Sequence, residues 1–523
     1  MFFSGKKYLD RKEVDMKYQK EIGTIISYLN ITLNMVISIF FTPFLISSLG
    51  NSEYGVYRIV QSFSGQLSIM SFGISALIVR NIIYYDTKKL KKEKENFLFM
   101  AIIISYILGF IIFLIGSGLY LSIDKIYNNS LSIEEIVIAK RLFILLVVNI
   151  VITVISDSYM GIIMAHERFI VSSGSKMLKL LLRIVLIFVL LKLNIKSIGI
   201  VISDLCVSLI LYLFVILYNK IILKEKVKFY YFDKETLRIS FLFSIAIFLQ
   251  AVINQVNQNL DSVILGIMTS STIVTLYSLA LTLYTSFNSL VSVISGVFGP
   301  QAAKLVAKNA SKEELTDFVI IPGRVQLMIA GLAITGFLLF GKNFIKICVG
   351  NDFIEAYYIV LILIIPVVIP LIENVTEAIL DAMLKRMGRS IILFVMCIIN
   401  VIISILLIKR IGYIGAAFGT AISVIIGNGI ILNIYLKKVV GLQIFRMFKE
   451  IFKGIWLANL LAIILGIVLL KLPDTIVGFL IKVIFYTLIY SSCIYLIGMN
   501  KIEKNYIMNF FKLRRNTDEQ RVK

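Results

Sequence analysis

Three carboxylates, Glu373, Glu377 and Asp381, and then Lys385 recur at spacings of four residues inside an apolar stretch. On a helix that spacing stacks them along one face. Like charges held together repel, so either cations answer them or protons bind them. The stripe therefore suits a coupling-ion site, or else only an ion-paired helix end with Asp381 against Lys385. A second stripe reads Gln250, Asn254, Asn257, Gln258 and Asp261, at offsets of 4, 7, 8 and 11. These also share one helical face, a wall of amides with one carboxylate. Ser27, Asn30, Asn34 and Ser38 make a milder stripe. Cations occur at Lys176, Lys179 and Arg183, offsets 3 and 7, and singly at Arg58, Arg80 and Arg324. Asp157 and Asp204 stand alone, and the pattern assigns them no role.

The elements that must position these groups are membrane spans. Hydrophobic residues make up 59% of the 523, above the roughly 45–50% of soluble domains. About 20 apolar residues of helix cross a bilayer, and the chain supplies many such runs. The runs are continuous and not alternating, which selects helices over a barrel. The fold class is thus all-α, a polytopic membrane protein. Fourteen spans are predicted, at 22–49, 55–84, 97–121, 140–165, 175–193, 197–218, 239–267, 273–303, 317–345, 355–384, 390–408, 412–436, 454–471 and 475–498.

A charge in hydrocarbon costs roughly 2.5–3.5 kcal/mol on insertion scales, so it faces protein or a water-filled cavity. The seventh span, with Asp261 and its amides, is expected to face such a cavity. So is Arg183, which approaches the midplane of the fifth span. For the first span, a cavity and simple interhelical hydrogen bonding are equal alternatives. Arg58, Arg80 and Arg324 lie near span ends, where interfacial anchoring explains them as well as function does, and Lys482 in the last span reads as a snorkelling residue. Pro366 and Pro370 should bend the tenth span just before its carboxylates.

The formal net charge of +22 raises the question of nucleic acid. The Lys and Arg residues, however, sit in short loops. They crowd the two termini and the loops after spans 2, 6 and 12, and are missing from the loops after spans 1 and 7. That is a topology signal; it places both termini in the cytoplasm and gives no nucleic-acid partner. The four cysteines have no ligand spacing, and His166 is the single histidine, so neither a metal site, a cofactor nor a His-dependent triad is expected. The first twenty residues are polar and basic, without the apolar core of a cleavable signal.

The chain also resembles itself at a lag of 216 residues. Leu49-Gly50 matches Leu265-Gly266, and Asn194-Ile195-Lys196-Ser197-Ile198-Gly199 matches Arg410-Ile411-Gly412-Tyr413-Ile414-Gly415. Two six-span copies in the same orientation are implied, with a substrate site between them near midplane. The domain reading is a six-helix lobe at 1–218, a second at 219–436, and two extra spans with a basic tail at 437–523.

Phe44-Leu45-Ile46-Ser47-Ser48-Leu49-Gly50, then Glu53-Tyr54-Gly55-Val56-Tyr57, Phe72-Gly73-Ile74 and Val79-Arg80 resemble the opening of polysaccharide-transporter (Wzx-type) flippases. These share a superfamily with multidrug exporters and lipid II flippases. Ala165-His166-Glu167-Arg168-Phe169 and Met387-Gly388-Arg389 resemble its loops. The resemblance implies two lobes around a cavity that opens to one side at a time. It implies a substrate of undecaprenyl-pyrophosphate-linked oligosaccharide, with cations holding the pyrophosphate. Arg80, Lys179 and Arg183 are the residues in place for that, and an Arg fork suits phosphate. Arg58, Arg324, Gln250, Asn254 and Asn257 are the other candidate substrate contacts, and Glu373, Glu377, Asp381 and Asp261 the candidate coupling groups. The final two spans resemble the extra pair of lipid II flippases.

The expected activity is transport, with no bond made or broken, across a bacterial inner membrane. Its partners are a lipid-linked oligosaccharide, membrane lipids and a polysaccharide polymerase. Rival readings are a lipid II flippase, a multidrug cation antiporter, or a membrane-embedded polyprenyl-linked glycosyltransferase or ligase. The last would want a large outer loop with catalytic carboxylates. The longest outer loop, near Ser122–Ala139, is short and offers only Asp124, Glu134 and Glu135.

Overall fold

The structure is a computed structural model that describes residues 2–505, apart from Phe72, 235–237, 239–247, 249–250, Asn254, 256–258, 293–294, Leu384 and Ile502. Its described elements are helices joined by turns, and no strand occurs among them. Twelve of the described helices are long and apolar enough to cross a membrane. The predicted fifth span is the helix Phe169–Lys192, of similar length but interrupted by its three cations. The seventh lies largely outside the described residues, and Asn259–Met268 is its apolar end. The all-α, polytopic class read from the sequence is the observed one.

By packing, the chain divides into two compact units, Met1–Thr282 with Leu393–Thr420, and Leu283–Ile392 with Ala421–Lys523. In the first, the block around Glu53-Tyr54-Gly55 is a junction. A Cβ on Gly55 would lie 1.9 Å from the carbonyl oxygen of Ser271, so only glycine lets the two backbones meet there. The Glu53 carboxylate accepts from the backbone N of Ser197 at 2.9 Å and from its Oγ at 2.6 Å. Gly199 and Gly415, 216 residues apart, sit alike after their turns. A Cβ would be 3.0 Å from Leu190 Cβ at the first and 2.4 Å from the Leu407 carbonyl carbon at the second.

Two predicted spans are broken. The second runs as a helix over Asn51–Gly65, tightens over Gln66–Ser71, and restarts at Ile74–Thr87 after Gly73 at φ 64°. The tenth, predicted at 355–384, ends as a helix at Ile372, two residues after Pro370. A short helix follows at Thr376–Ala382. Pro366 and Pro370 lie inside that helix, and neither can donate to the carbonyl four residues before it. Glu373 therefore sits in the break, and the three carboxylates do not share one continuous helical face.

Ser27 on the first helix pairs with Ser173 at 2.7 Å. At that position the polar stripe of the first span joins helices. Lys482 is buried within the second unit, and its ammonium reaches Asp474 at 2.8 Å. Its stem is covered by protein, and its head reaches the exposed Asp474 in the loop before the last span.

On the first unit, the segment following Lys196–Leu223 is clamped to the base of the helix Lys91–Tyr127. Asn96 Oδ1 accepts from the backbone N of Tyr230 at 2.9 Å and of Tyr231 at 3.1 Å. The Tyr230 hydroxyl donates to Glu95 at 2.7 Å. Glu225 meets Lys94 at 3.0 Å and His166 at 2.9 Å.

Candidate functional site

The helix Ile133–Ala165 starts at a capping box, in which Ser132 Oγ accepts from the backbone N of Glu135 and the Glu135 carboxylate accepts from the backbone N of Ser132. This fixes where the helix begins, and so which face carries Asn149, Thr153 and Asp157, spaced by four. All three line a cavity of about 540 Å³ in the first unit. Lys179 faces it from Phe169–Lys192, Ser68 and Ser71 from the tightened second span, and Gln255 from the seventh. Irregular backbone at membrane depth is tolerated where it lines a cavity, which is the position of Ser68 and Ser71. Asp157 is exposed to this space and, among the described residues, has no hydrogen-bond or ion-pair partner; Lys179 and then Lys176 are its electrostatic neighbours. Asn149 Oδ1, in the same wall, is buried without a partner.

Arg183 is not a bare cation. Its Nε and NH2 pair with the two oxygens of Asp204, and NH2 also reaches the Tyr57 hydroxyl at 3.4 Å. Asp204, which sequence pattern left without a role, is thus the counter-ion of Arg183. Arg58 donates to Gln61 at 3.0 Å, and its Nε is buried without a partner. Arg80 is exposed on Ile74–Thr87.

Asp261 is buried in a polar cluster of the first unit. Its Oδ2 accepts from the Tyr277 hydroxyl at 2.8 Å and from Thr420 Oγ1 at 3.0 Å. Ser404 Oγ donates to Asn400 Oδ1 at 3.1 Å, and Thr420 lies 3.4 Å from that same oxygen. Gly419 allows the approach, because a Cβ there would lie 2.1 Å from Ser404 Oγ. Gln250, Asn254, Asn257 and Gln258, expected on the same helical face as Asp261, lie outside the described residues.

In the second unit the acidic stripe is answered unevenly. Asp381 pairs with Arg386 at 2.9 Å, not with Lys385, and Glu377 pairs with Arg389. Glu373 is 2% exposed and takes one hydrogen bond, from Asn433 Nδ2 at 2.7 Å; its Oε2 is buried without a partner. Arg324 is far from a substrate role. Its nitrogens donate to the carbonyls of Glu450 at 2.6 Å, Ile451 at 3.4 Å, Lys453 at 3.0 Å and Gly498 at 2.6 Å, and to Glu503 at 2.6 and 3.1 Å. It fastens the last two spans to the helix Lys312–Cys348, and no donor is left for a ligand.

The sequence reading missed Asn149 and Thr153. Their signal was present, since polar residues at spacing four in an apolar helix follow the rule that singled out the seventh span.

The family of polysaccharide biosynthesis proteins matches residues 22–306. No curated protein matches the chain. Among solved structures, the lipid II flippase MurJ in an inward closed conformation is similar, with a TM-score of 0.71 at 18% identity over 90% of this chain and 97% of that one. An inward-facing multidrug resistance MATE family transporter of the MOP superfamily has a TM-score of 0.59 at 16% identity, over 79% and 99%. The MATE multidrug transporter DinF-BH has 0.56 at 13%, over 83% and 96%. At these identities the likeness is one of fold. With the family match covering more than half of its length, the chain belongs to the polysaccharide biosynthesis protein family, and it carries the polytopic helical fold of these structures.

Proposed function

We propose that this protein is a flippase that moves undecaprenyl-pyrophosphate-linked oligosaccharide from the cytoplasmic to the outer leaflet by alternating access. The observation that carries the reading is the polar cavity of the first unit, with Lys179 and Asp157 on its wall and neither in a hydrogen bond or ion pair among the described residues. Charged groups at membrane depth without partners suit a transported polar ligand better than a packing role. The lobes would be the six-span copies 1–218 and 219–436, both termini cytoplasmic, in a bacterial inner membrane, with a polysaccharide polymerase as the partner that consumes the product.

Two groups are proposed to couple transport to an ion. Glu373 has an orphaned oxygen beside the helix break, and Asp261 sits among hydroxyl and amide oxygens. Glu377 and Asp381 are neutralised by arginines and serve better as helix-end pairs. Lipid II flipping is the second reading, favoured by the likeness to a lipid II flippase across 90% of the chain. The test is flipping in proteoliposomes of fluorescent lipid-linked oligosaccharide against lipid II. Translocation of the first and not the second supports the proposal. The reverse would transfer the assignment, and movement of neither would remove it.

A further inference from the structure

The cavity of the first unit is balanced in charge. Among the described residues, Lys179 and Asp157 are the charged ones on its wall, one of each sign. Arg183, one helical turn beyond Lys179, is committed to Asp204. The rest of the polar wall is neutral, with the hydroxyls of Ser68, Ser71 and Thr153 and the amides of Asn149 and Gln255, and Ile150 and Val154 lie between them.

A pyrophosphate carries at least two negative charges. Against this wall it would meet one ammonium and one unpaired carboxylate, whose effects on it oppose each other. It would also crowd the Asp157 carboxylate and compete with it for the Lys179 ammonium, at a steep cost in a site partly shielded from water. An uncharged saccharide meets the opposite situation. Its hydroxyls donate to Asp157 and to the orphaned Asn149 Oδ1, and they accept from Lys179 and the Gln255 amide. Its C–H faces rest on Ile150 and Val154. The volume, about 540 Å³, is that of a small-molecule site.

We infer that this cavity is the saccharide subsite of the transporter, that it takes the uncharged hydroxyl-bearing sugars of the substrate and not its pyrophosphate, and that Asp157 is a specificity-determining acceptor within it. The inference rests on the flippase reading. It departs from the cation-for-pyrophosphate role that family resemblance lends to Lys179.

The experiment uses the full chain with its four native cysteines replaced by alanine and one cysteine placed by Thr153→Cys or, separately, by Ser71→Cys. Alkylation by N-ethylmaleimide is timed in the presence of free neutral hexoses, free N-acetylhexosamines, or inorganic pyrophosphate, at matched ionic strength. At least one neutral sugar should slow the reaction at both positions, and pyrophosphate should not. Adding Asp157→Asn should raise the half-protecting sugar concentration about tenfold or more, the worth of a hydrogen bond to a charged acceptor. Protection by pyrophosphate alone, protection by nothing, or unreactive cysteines at both positions would each overturn the inference. Flipping of lipid-linked oligosaccharide by the same protein is read separately. Flipping without sugar protection removes the subsite and leaves the transporter, whereas sugar protection without flipping does the reverse.

Discussion

Asn433 is the one residue that hydrogen-bonds the Glu373 carboxylate among the described residues, Nδ2 to Oε1 at 2.7 Å, and the second carboxylate oxygen faces no donor. Glu373 lies in the break after the helix Ala356–Ile372, and Asn433 opens the helix Asn433–Val439, both in the second unit. A carboxylate held by one amide is poorly compensated for its burial, and an ion or proton that arrives in only one state of a cycle would bias that cycle by its difference in affinity.

Glu373→Gln should keep the Asn433 contact while removing the charge. Flipping in proteoliposomes under imposed proton and sodium gradients should lose its gradient dependence, with substrate binding retained. Glu377→Gln should instead act through Arg389, whose main partner it removes, and lower the melting temperature. A Glu373→Gln protein that follows both gradients as the parent does would show that this carboxyl is structural.

For Arg183 and Asp204, removal of either partner leaves the other charged and part-buried. Arg183→Ala and Asp204→Ala should each destabilise by about 2 kcal/mol, a discounted figure because both side chains keep some contact with solvent. The double variant should lose less than the sum of the two, by roughly 1–2 kcal/mol. Thermal melts in detergent read this directly, and strict additivity would mean that the pair is not coupled.

Arg324→Ala strands four carbonyls and the Glu503 carboxylate. The expected loss is about 3–5 kcal/mol. Arg324→Lys should recover little of it, since an ammonium cannot span the fork. Protease cleavage near residues 440–454 should rise in both variants. If lysine restores the parent melt, the directional hydrogen bonds matter less than charge alone.

The Asp261 cluster makes a thermodynamic prediction. If it holds sodium, sodium chloride should raise the melting point above choline chloride at equal ionic strength. The gain is about 2.7 kcal/mol at a hundredfold excess over Kd. Asp261→Asn should abolish the difference. An equal response in both salts would dismiss this site as a sodium pocket.

Glu225 lies outside the spans, and two effects on it compete. Burial pushes its carboxyl up, while hydrogen bonds from His166 and Lys94 pull it down and prevail, so it titrates below the ordinary glutamate range. A carboxyl lowered on folding adds stability that is present above its ordinary range and is lost as the pH falls through the lowered value. Hydrogen exchange of segment 224–231, corrected for intrinsic rates, should therefore stay slow at neutral pH and quicken only in acid. Glu225→Gln should exchange fast throughout.

Much of this molecule was legible before any coordinates. Runs of apolar residues announce spans because a bilayer demands a fixed length of helix; Pro366 with Pro370 suggested a bend in the tenth span, where the helix instead stops before Glu373. Glycine at position 55 could be recognised as a signature, but its reason, the Ser271 carbonyl against it, is tertiary. What stayed hidden was pairing. Arg183 reads as a lone cation until Asp204, 21 residues on, is brought beside it. Arg324 is less legible still, since its partners are 126 to 179 residues away and most are carbonyls, which every residue possesses.

That last property of Arg324 has a consequence for how this protein tolerates change. A seam written on main-chain oxygens ignores which side chains stand at 450 and 453, so those positions are free to drift so long as the backbone path is kept, whereas Ile451 is also held by its burial against Gly323. Constraint falls elsewhere. Gly454, at φ 76°, brings the turn so close that a Cβ would sit 2.6 Å from the carbonyl oxygen of Ile497. Insertion of one residue between 451 and 453 would shift the Lys453 carbonyl past the guanidinium, whereas replacement of the side chains at 450 and 453 would leave the seam closed. The joint is specified by length and not by spelling.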